Sequence, residues 1–255
     1  MLQRLKCINA NALKFIAAFS MFIDHMGYML FPNSLTFRMI GRLAMPIFAF
    51  FIAEGCHYTK NKYKHFALLF ALALACQAVY FVFDPTATLF SILFTFSFST
   101  LMIYALQYLK SCIFAHKKVQ TAIAAFVFAG AVGFTYAFCH FFHVDYGFWG
   151  SMLPVFAALP DFRKWGNKPD LLKKAETLPV RVAFFGVGIL TMVFSLLPIA
   201  LPSVKPALWL HLLVLPLLLL YSGKKGKLRT KYFFYIFYPA HLALLEGIFM
   251  LVYYL

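Results

Sequence analysis

The sequence predicts an all-α, polytopic membrane helical bundle, and three features support that prediction. Of the 255 residues, 63% are hydrophobic and only 12% are charged, and the mean hydropathy is +0.81. Soluble domains carry about 25% charged residues, so the composition excludes an ordinary water-soluble enzyme and a disordered chain. The apolar residues form long stretches without the alternation of a β-barrel, and helices are the remaining structure that satisfies the backbone hydrogen bonds in lipid.

Nine stretches approach the roughly 20 apolar residues that a membrane-crossing helix needs. We expect these helices at residues 13–31, 39–57, 65–83, 89–109, 119–139, 144–160, 180–200, 206–221 and 232–254. Turn residues or charges separate them, as at Pro32-Asn33 and Lys60-Asn61-Lys62. Residues 1–255 are therefore expected to form a single integral-membrane domain.

The distribution of Lys and Arg predicts a cytoplasmic N-terminus and an outer C-terminus. In this orientation the outer loops contain only Arg38 and Lys205. The inner segments contain Arg4, Lys6, Lys60, Lys62, Lys64, Lys110, Lys117, Lys118, Arg163, Lys164, Lys168, Lys173, Lys174, Lys224, Lys225, Lys227, Arg229 and Lys231. Cytoplasmic loops of membrane proteins are enriched in basic residues. The net charge of +15 therefore indicates insertion in the cytoplasmic (inner) membrane rather than a nucleic-acid partner.

The cysteines indicate neither a disulfide framework nor a zinc site, because they are odd in number and have no paired spacing. They are Cys7, Cys56, Cys76, Cys112 and Cys139. No metal is expected.

Ionisable residues inside the predicted helices are the most informative part of the sequence, because a charge at mid-bilayer costs about 2.5–3.5 kcal/mol. They are Asp24, His25, Arg42, Glu54, His57, Asp145, His241 and Glu246. A helix rises about 1.5 Å per residue, which puts Asp24 and His25 about 17 Å from the inner face and His241 about 14 Å from it. All but Glu54 and His57 are therefore expected to meet in the middle and outer half of the bundle. Glu54 and His57, three residues apart on one helix face, are expected near the cytoplasmic end.

Structural interpretations of these residues remain open. Arg42 could pair with Asp24 or Glu246, or lie at the membrane interface. His241 could be a core histidine, and Asp145 could cap the start of its helix. His57 is equally consistent with a place at the interface.

Two prolines lie close to these polar residues. Pro46 lacks the N–H that would bond the carbonyl of Arg42, which predicts a kink in this helix. Pro239 lies near His241, and Tyr235, Tyr238 and His241 share one helix face. Such interrupted helices are typical of a substrate cavity, although proline also occurs in ordinary membrane helices.

Several motifs resemble the TraX family, named for a conjugative-plasmid protein linked to N-terminal acetylation of pilin. The resemblance runs in order from residue 13 to about residue 247. Its motifs are Leu13-Lys14-Phe15-Ile16-Ala17, Ile23-Asp24-His25-Met26-Gly27, Gly41-Arg42-Leu43-Ala44-Met45-Pro46-Ile47-Phe48-Ala49-Phe50, Glu54-Gly55, His57-Tyr58-Thr59, Asp145-Tyr146-Gly147 and Tyr235-Ile236-Phe237-Tyr238-Pro239-Ala240-His241-Leu242.

This resemblance implies an acetyl-CoA-dependent acetyltransferase related to multi-span membrane acyltransferases. The acetyl group would move from cytoplasmic acetyl-CoA to an amine or hydroxyl acceptor at or across the bilayer. The acceptor would be a protein N-terminus, such as that of a pilin-like protein, or a small molecule or glycan.

Acyl transfer needs a base for the acceptor proton and stabilisation of the developing oxyanion. We expect His25 to be the base, oriented by Asp24 or by a carboxylate from another helix, Asp145 or Glu246. Arg42 is expected to stabilise negative charge or to hold Asp24.

The substrates are expected to bind around these catalytic residues. The candidate substrate-binding residues are Glu54, His57, Asp145, Tyr146, Tyr235, Tyr238, His241 and Glu246. Lys60 and Lys224 are the candidates for attracting the CoA phosphates.

Two other classes of protein remain open. Buried Asp, Glu and His also build proton pathways, so a proton-coupled transporter or flippase is the alternative function. A purely structural membrane subunit would fit only if the buried groups simply paired with one another.

Overall fold

A computed structural model describes residues 7–32, 34–83, 88–166, 168–202, 204–228 and 230–254. Arg4, Lys6 and Arg229, which contribute to the predicted orientation, lie outside these residues. The helices are α1 (Ala10–Met29), α2 (Leu35–Gly41), α3 (Ala44–Tyr58), α4 (Lys62–Phe83), α5 (Ile92–Phe114), α6 (Lys118–Phe141), α7 (Gly147–Ala158), α8 (Asp170–Ala175), α9 (Leu178–Leu196), α10 (Lys205–Leu208), a 3-10 turn (Trp209–Leu213), α11 (Val214–Leu219) and α12 (Lys231–Tyr254). Extended pairing in the described residues is limited to two isolated bridges, so the predicted all-α class is confirmed.

Six of the helical segments are long and apolar enough to cross a membrane, within the described ranges. They are Leu35–Tyr58, Lys62–Val82, Ile92–Phe114, Lys118–Phe141, Leu178–Leu196 and Phe233–Val252. The other three predicted stretches are helical in α1, α7 and the α10–α11 segment, but they do not belong to this group. The chain is therefore a multi-pass membrane protein.

Where the sequence predicts a kink at Pro46, the structure has a break, because α2 ends at Gly41 and α3 begins at Ala44. The amides of Arg42 and Leu43 donate to the carbonyls of Met39 and Ile40, a tightened last turn that ends α2. Pro239, by contrast, lies inside the continuous helix α12. A proline inside a membrane helix does not have to end it, because neighbouring groups can satisfy the backbone groups that it leaves.

The described chain forms two compact units, and each is described separately below. The first unit contains Met1–Phe48, Ala75–Ala87 and Val193–Leu255, and the second contains Ala49–Leu74 and Thr88–Met192.

In the first unit, α1 packs against both α2 and α12. α1 and α2 are antiparallel. Ser20 donates to the carbonyl of Ile40, and Gly27, farther along α1, contacts Phe37, which comes earlier in α2. Between α1 and α12, later residues of one helix contact later residues of the other. The ring of Phe15 packs on those of Phe233 and Phe234, and the ring of His25 lies farther along both helices against Tyr238 and His241. The first and last helices are therefore parallel.

The start of α1 is held by the segment that precedes α12. The side chain of Asn9 caps α1 by accepting from the amide of Ala12 at 3.0 Å. Asn11 donates to the carbonyl of Leu228 at 2.8 Å and accepts from Thr230 at 3.0 Å. Gly226 has a φ of +94°, and a side chain there would meet Asn9 at 2.8 Å, so glycine is required at this crossing. These bonds fix the relative height of α1 and α12.

In the second unit, α5 is the most buried of the six candidate spans. Its small polar side chains bond to backbone carbonyls, which satisfies them without water. Ser99, for example, lies within hydrogen-bond distance of the carbonyls of Thr95 and Ser151, the latter on α7. This arrangement brings α7 close to α5 and positions the loop that follows α7.

Candidate active site

Two histidines meet between α1 and α12 in the first unit. Nδ1 of His25 lies 2.7 Å from Nε2 of His241, and the two ring planes differ by only 8°. We call these two residues the histidine pair. His241 is 3% exposed and His25 is half-buried. The ring of Tyr238, which is also buried, lies edge-on to both histidines, with ring centroids at 6.5 Å from His25 and 5.5 Å from His241.

The hydrogen bonds determine where the protons lie in the neutral histidine pair. Nδ1 of His241 is 2.8 Å from the carbonyl oxygen of Phe237, and because that oxygen can only accept, Nδ1 carries the proton. Nε2 of His241 is then an acceptor, and Nδ1 of His25 must donate to it. The remaining nitrogen of His25, Nε2, carries a lone pair. His241 therefore orients the ring of His25 and leaves Nε2 free to accept a proton, which is the arrangement that a general base requires.

The sequence predicted a carboxylate as the group that orients His25, whereas the partner at its Nδ1 is His241. Asp24 instead forms an ion pair with Arg38 of α2, with 3.0 Å between Oδ2 and Nη1. Successive side chains point about 100° apart around a helix, so Asp24 faces α2 while His25 faces α12. Arg42, which is 6% exposed at the α2–α3 break, lies close enough to Asp24 for their charges to interact.

The close approach of α1 and α2 depends on glycine. A Cβ atom at Gly41 would lie 2.2 Å from Oδ1 of Asp24, and one at Gly27 would lie 2.3 Å from Cβ of Phe37. Real Cβ atoms do not tolerate such distances. These two glycines therefore allow α2 to hold Asp24 in place beside the histidine pair.

An apolar pocket of about 280 Å³ lies between α1 and α2. Its lining residues are Phe19, Phe22, Ile23, Met26, Thr36, Phe37 and Ile40. The ring of Phe22 also packs edge-on against His241 at 6.4 Å between centroids. Phe22 thus lies between the pocket and His241. An apolar substrate in the pocket would be one aromatic side chain away from the histidine pair.

The other predicted residues of the first unit lie at differing distances from the pair. Tyr235 and Glu246 are half-buried on α12, and Glu246 follows His241 by about 140° around the helix, so the two do not share a face. Lys224 is exposed, and its backbone carbonyl accepts from the amide of Ala10 at the start of α1.

Glu54 and His57 belong to a charged network in the second unit, which we call the loop-anchoring network. Its members are Glu54, His57, Asp161, Arg163 and Arg181. Arg163 bridges the two acids, with Nη2 at 2.7 Å from Glu54 and 2.9 Å from Asp161. Arg181 approaches the same oxygen of Glu54 at 2.5 Å. These pairs explain how Glu54, whose side chain is 4% exposed, remains in an apolar helix.

Asp161 also orients His57, whose Nδ1 lies 3.1 Å from Oδ2 of Asp161. Burial would raise the pKa of Asp161, but hydrogen bonds from Arg163 and His57 and the charges of Arg163 and Arg181 outweigh it and hold this pKa below its usual range. Lys110 of α5 supports the same loop by donating to the carbonyls of Ala158, Leu159 and Asp161.

Three further predicted residues lie in the second unit outside this network. Asp145 does not cap α7, because the capping position belongs to Tyr146, which has the left-handed φ of 60°. The backbone amide of Asp145 instead donates to the carbonyl of Phe90, and its carbonyl accepts from Thr95. Lys60 is exposed after α3. No group of three or more His, Cys, Asp or Glu side chains in the described ranges is arranged to hold a metal ion.

Several partners were not anticipated from the sequence. Arg38 was assigned to an outer loop, although its spacing of four from Arg42 places both on one side of a helical turn. Arg163 was counted only among the basic residues of the inner segments, and Asp161 was not singled out. Both residues come directly after the apolar stretch of α7, and this position was the available signal that they lie close to the buried Glu54 of the second unit.

Comparisons with known proteins show which sequences this chain resembles. The sequence profile of the family described as TraX protein matches residues 9–249. The probable fimbrial assembly protein FimC, serogroup H1, of Dichelobacter nodosus is 27% identical over 248 residues, which cover 93% of this chain and 94% of that protein. An uncharacterized protein of Rickettsia prowazekii (strain Madrid E) is 44% identical over 52 residues, 20% of this chain and 21% of that protein. No solved structure matches significantly.

Proposed function

Because the chain belongs to the TraX family, we propose that it is a membrane acetyltransferase that uses cytoplasmic acetyl-CoA. The acceptor is an amine or hydroxyl group at or across the membrane. The observation that carries this proposal is the histidine pair, in which His241 orients His25 and leaves Nε2 of His25 as the base. A lone core histidine would not need a second histidine whose own tautomer is held by a backbone carbonyl.

The proposed reaction with an amine acceptor is a direct acyl transfer. The amine nitrogen attacks the thioester carbonyl, and its proton passes to Nε2 of His25. The new C–N bond remains and the C–S bond breaks, so that CoA leaves as a thiolate and takes the proton from His25. The positive charge on His25 is stabilised meanwhile, because its Nδ1–H donates to Nε2 of His241.

Arg42 is the residue that we assign to stabilise the negative charge of the tetrahedral intermediate. It is buried at a helix break, where a charge interacts more strongly than it does in water. The Asp24–Arg38 ion pair holds α1 and α2 together and is assigned a positioning role. Tyr235 and Tyr238 border the acceptor side of the histidine pair in this proposal.

The apolar pocket between α1 and α2 supports an acceptor with an apolar segment. Its walls would hold such a segment beside His241 through Phe22. A fimbrial assembly protein among the relatives is consistent with a pilin-like protein whose N-terminal amine is acetylated. Small-molecule and glycan acceptors remain within the proposal, because the proposed chemistry is the same.

The proposed topology has nine membrane crossings, with the N-terminus inside and the C-terminus outside the cytoplasmic membrane. The parallel contacts of α1 and α12 support an odd number of crossings, since helices separated by an even number of reversals run in one direction. Lys60 and Lys224 are both exposed, and in this topology they face the cytoplasm, where they attract the CoA phosphates.

The test is acetyl transfer by the purified full chain in lipid nanodiscs. Radiolabelled acetyl-CoA is offered with an apolar synthetic peptide that has an unblocked N-terminal amine, and separately with a hydroxyl-bearing sugar acceptor. The same peptide with a blocked N-terminus is the control. We expect transfer by the wild type and a loss of about 10²- to 10⁴-fold in His25→Ala, the contribution of a positioned base. Near-normal transfer by His25→Ala would refute its assignment as the base.

The hydrogen-bonded histidine pair is also the kind of contact through which a proton moves in a transporter. Substrate counterflow in sealed vesicles distinguishes that function from acyl transfer. Counterflow without acetyl transfer to either acceptor would replace the acetyltransferase proposal with the transporter.

A further inference from the structure

Two lysines of the second unit lie over the same face of α5. Nζ of Lys62, the first residue of α4, lies 5.4 Å from the ring centroid of Tyr104. Nζ of Lys164, in the loop after α7, lies 3.0 Å from the side-chain oxygen of Gln107. Tyr104 and Gln107 are three residues apart and therefore neighbours on the helix surface. We call Lys62 and Lys164 the lysine pair.

Unlike the basic residues beside Lys164 in the chain, neither member of the lysine pair forms an ion pair with a described residue, although the charge of Asp161 attracts Lys164 at longer range. Arg163 and Lys168, on either side of Lys164 in the chain, each form an ion pair with a carboxylate. No described carboxylate lies within ion-pair distance of Lys62 or Lys164. The only polar contacts of Lys164 within the described ranges are Gln107 and the carbonyl of Cys56, and Lys62 has only the ring of Tyr104. An ammonium group has three donors, so one donor of Lys164 and three of Lys62 remain available.

An anion between the two lysines would relieve the repulsion between their positive charges. Partial burial and the neighbouring charge of Lys62 lower the pKa of Lys164, which shows that the two positive charges oppose each other. Arg163 fixes the backbone next to Lys164 through its ion pairs with Glu54 and Asp161. Lys62 also lies at the positive end of α4, where a cation is disfavoured and an anion is favoured.

We infer that the lysine pair is a phosphate-binding site at the end of α4 in the second unit. The ligand bridges the two ammonium groups and accepts their available donors, as phosphate oxygens do. The inference rests on the proposed function for its preferred ligand, the diphosphate of CoA. A phospholipid headgroup offers the same chemistry. In either case the site adds Lys62 and Lys164 to Lys60 and Lys224, the lysines named from the sequence.

The site is tested with the full chain in nanodiscs by calorimetric titration of CoA, of inorganic pyrophosphate and of pantetheine, which lacks phosphate. The variants are Lys62→Gln, Lys164→Gln and the double substitution. Glutamine keeps a hydrogen-bond donor toward Cys56 but removes the charge. We expect each single variant to bind CoA and pyrophosphate about tenfold more weakly, a loss of about 1.4 kcal/mol, while pantetheine binding stays unchanged.

Lys173→Gln is the matched control, because Lys173 lies in the same part of the chain but pairs with the exposed Asp170. It should bind all three probes as the wild type does, and Lys62→Arg should retain most of the affinity for pyrophosphate. Nanodiscs with and without an anionic phospholipid distinguish the source of the phosphate. Retention of the anionic lipid that depends on the lysine pair, without an effect on CoA, would assign the site to a headgroup.

The site is overturned if the double variant matches the wild type with CoA, pyrophosphate and anionic lipid. The same conclusion follows if the wild type binds none of them. Its failure is distinguishable from failure of the proposed function. Lysine-dependent CoA binding without any acetyl transfer would retain the site and reject the acetyltransferase, whereas His25-dependent transfer with normal binding in the double variant would do the reverse.

Discussion

Replacing His241 tests the proposed mechanism directly, because this residue contacts the proposed base rather than the reacting carbonyl. His241→Leu removes the acceptor that lies 2.7 Å from Nδ1 of His25. His241→Gln is the matched variant, since its side-chain oxygen can reach the position of the lost Nε2 and accept the same hydrogen bond. The two substitutions therefore differ mainly in whether His25 keeps its orienting partner.

The expected magnitude follows from the charge that His25 carries in the transition state. A hydrogen bond to a charged group contributes about 1.5–3 kcal/mol, and each 1.36 kcal/mol changes the rate about tenfold. His241→Leu should therefore lower kcat about 10- to 150-fold. The KM for acetyl-CoA should change little, because this hydrogen bond is already present before substrate binds and strengthens only when His25 becomes charged in the transition state. His241→Gln should retain most of the kcat.

The assay is the release of CoA thiol by the purified full chain in nanodiscs, at saturating acetyl-CoA and acceptor peptide. Thermal unfolding of both variants checks that α12 is still packed against α1. Equal kcat values for the leucine and glutamine variants, with both proteins folded, would refute the role of the histidine pair and leave His241 as a packing residue.

Three predictions concern stability, each measured as thermal unfolding of the purified protein in detergent. Gly41→Ala should destabilise the protein by about 1–3 kcal/mol, because the added Cβ would overlap the Asp24 side chain. Gly130→Ala is the control and should be neutral or stabilising, because a Cβ there meets nothing within 4 Å. Equal effects of the two substitutions would contradict the close approach of α1 and α2. Glu54→Gln should lower the free energy of unfolding by about 3–5 kcal/mol, because it leaves buried arginine charge uncompensated. Asp170→Asn should lower it by no more than about 1 kcal/mol, because the Asp170 side chain is 86% exposed. Similar losses in the two variants would contradict the role of the loop-anchoring network. Folding lowers the pKa of Asp161, so the charged carboxylate stabilises the protein above its unfolded pKa of about 4, and this stabilisation is lost as the pH falls below that value. The difference in stability between the wild type and Asp161→Asn should therefore be constant at neutral pH and shrink below about pH 4. A difference that does not depend on pH would refute the ion pairing.

Much of the helical architecture was predictable because long apolar stretches have few alternatives in lipid. An irregularity between α2 and α3 was predictable from Pro46, which lacks the N–H that an uninterrupted helix needs, although the sequence predicted a kink rather than the break that the structure has. The start of α7 was less predictable, because it depends on the left-handed backbone of Tyr146, a conformation for which the residue type provides no signal. The irregular α10–α11 segment contains Pro216, which cannot bond the carbonyl of Leu212, but a proline alone does not distinguish an interrupted helix from a continuous one such as α12.

The candidate site was predicted in its residue types but not in its partners. His25 and His241 were expected near each other from their depths, and the structure brings them into contact. A carboxylate, either Asp24 or one of Asp145 and Glu246, was expected to orient His25, whereas Nδ1 of His25 contacts His241 and Asp24 pairs with Arg38. Partner choice depends on which neighbouring helix each side chain faces, and that angle is decided by packing across helices far apart in the chain.

By itself the sequence determined that this protein is a helical membrane protein of the TraX family and that its rare intramembrane charges are the residues to examine. Those conclusions depend on composition, periodicity and motif order, which are local properties of the chain. Only the tertiary structure decided that His241 orients His25, that Arg163 and Arg181 neutralise Glu54, and that Lys62 and Lys164 lie over one face of α5. The physical reason is that a buried charge must find a partner somewhere, while the identity of that partner depends on helix contacts that are distant in sequence.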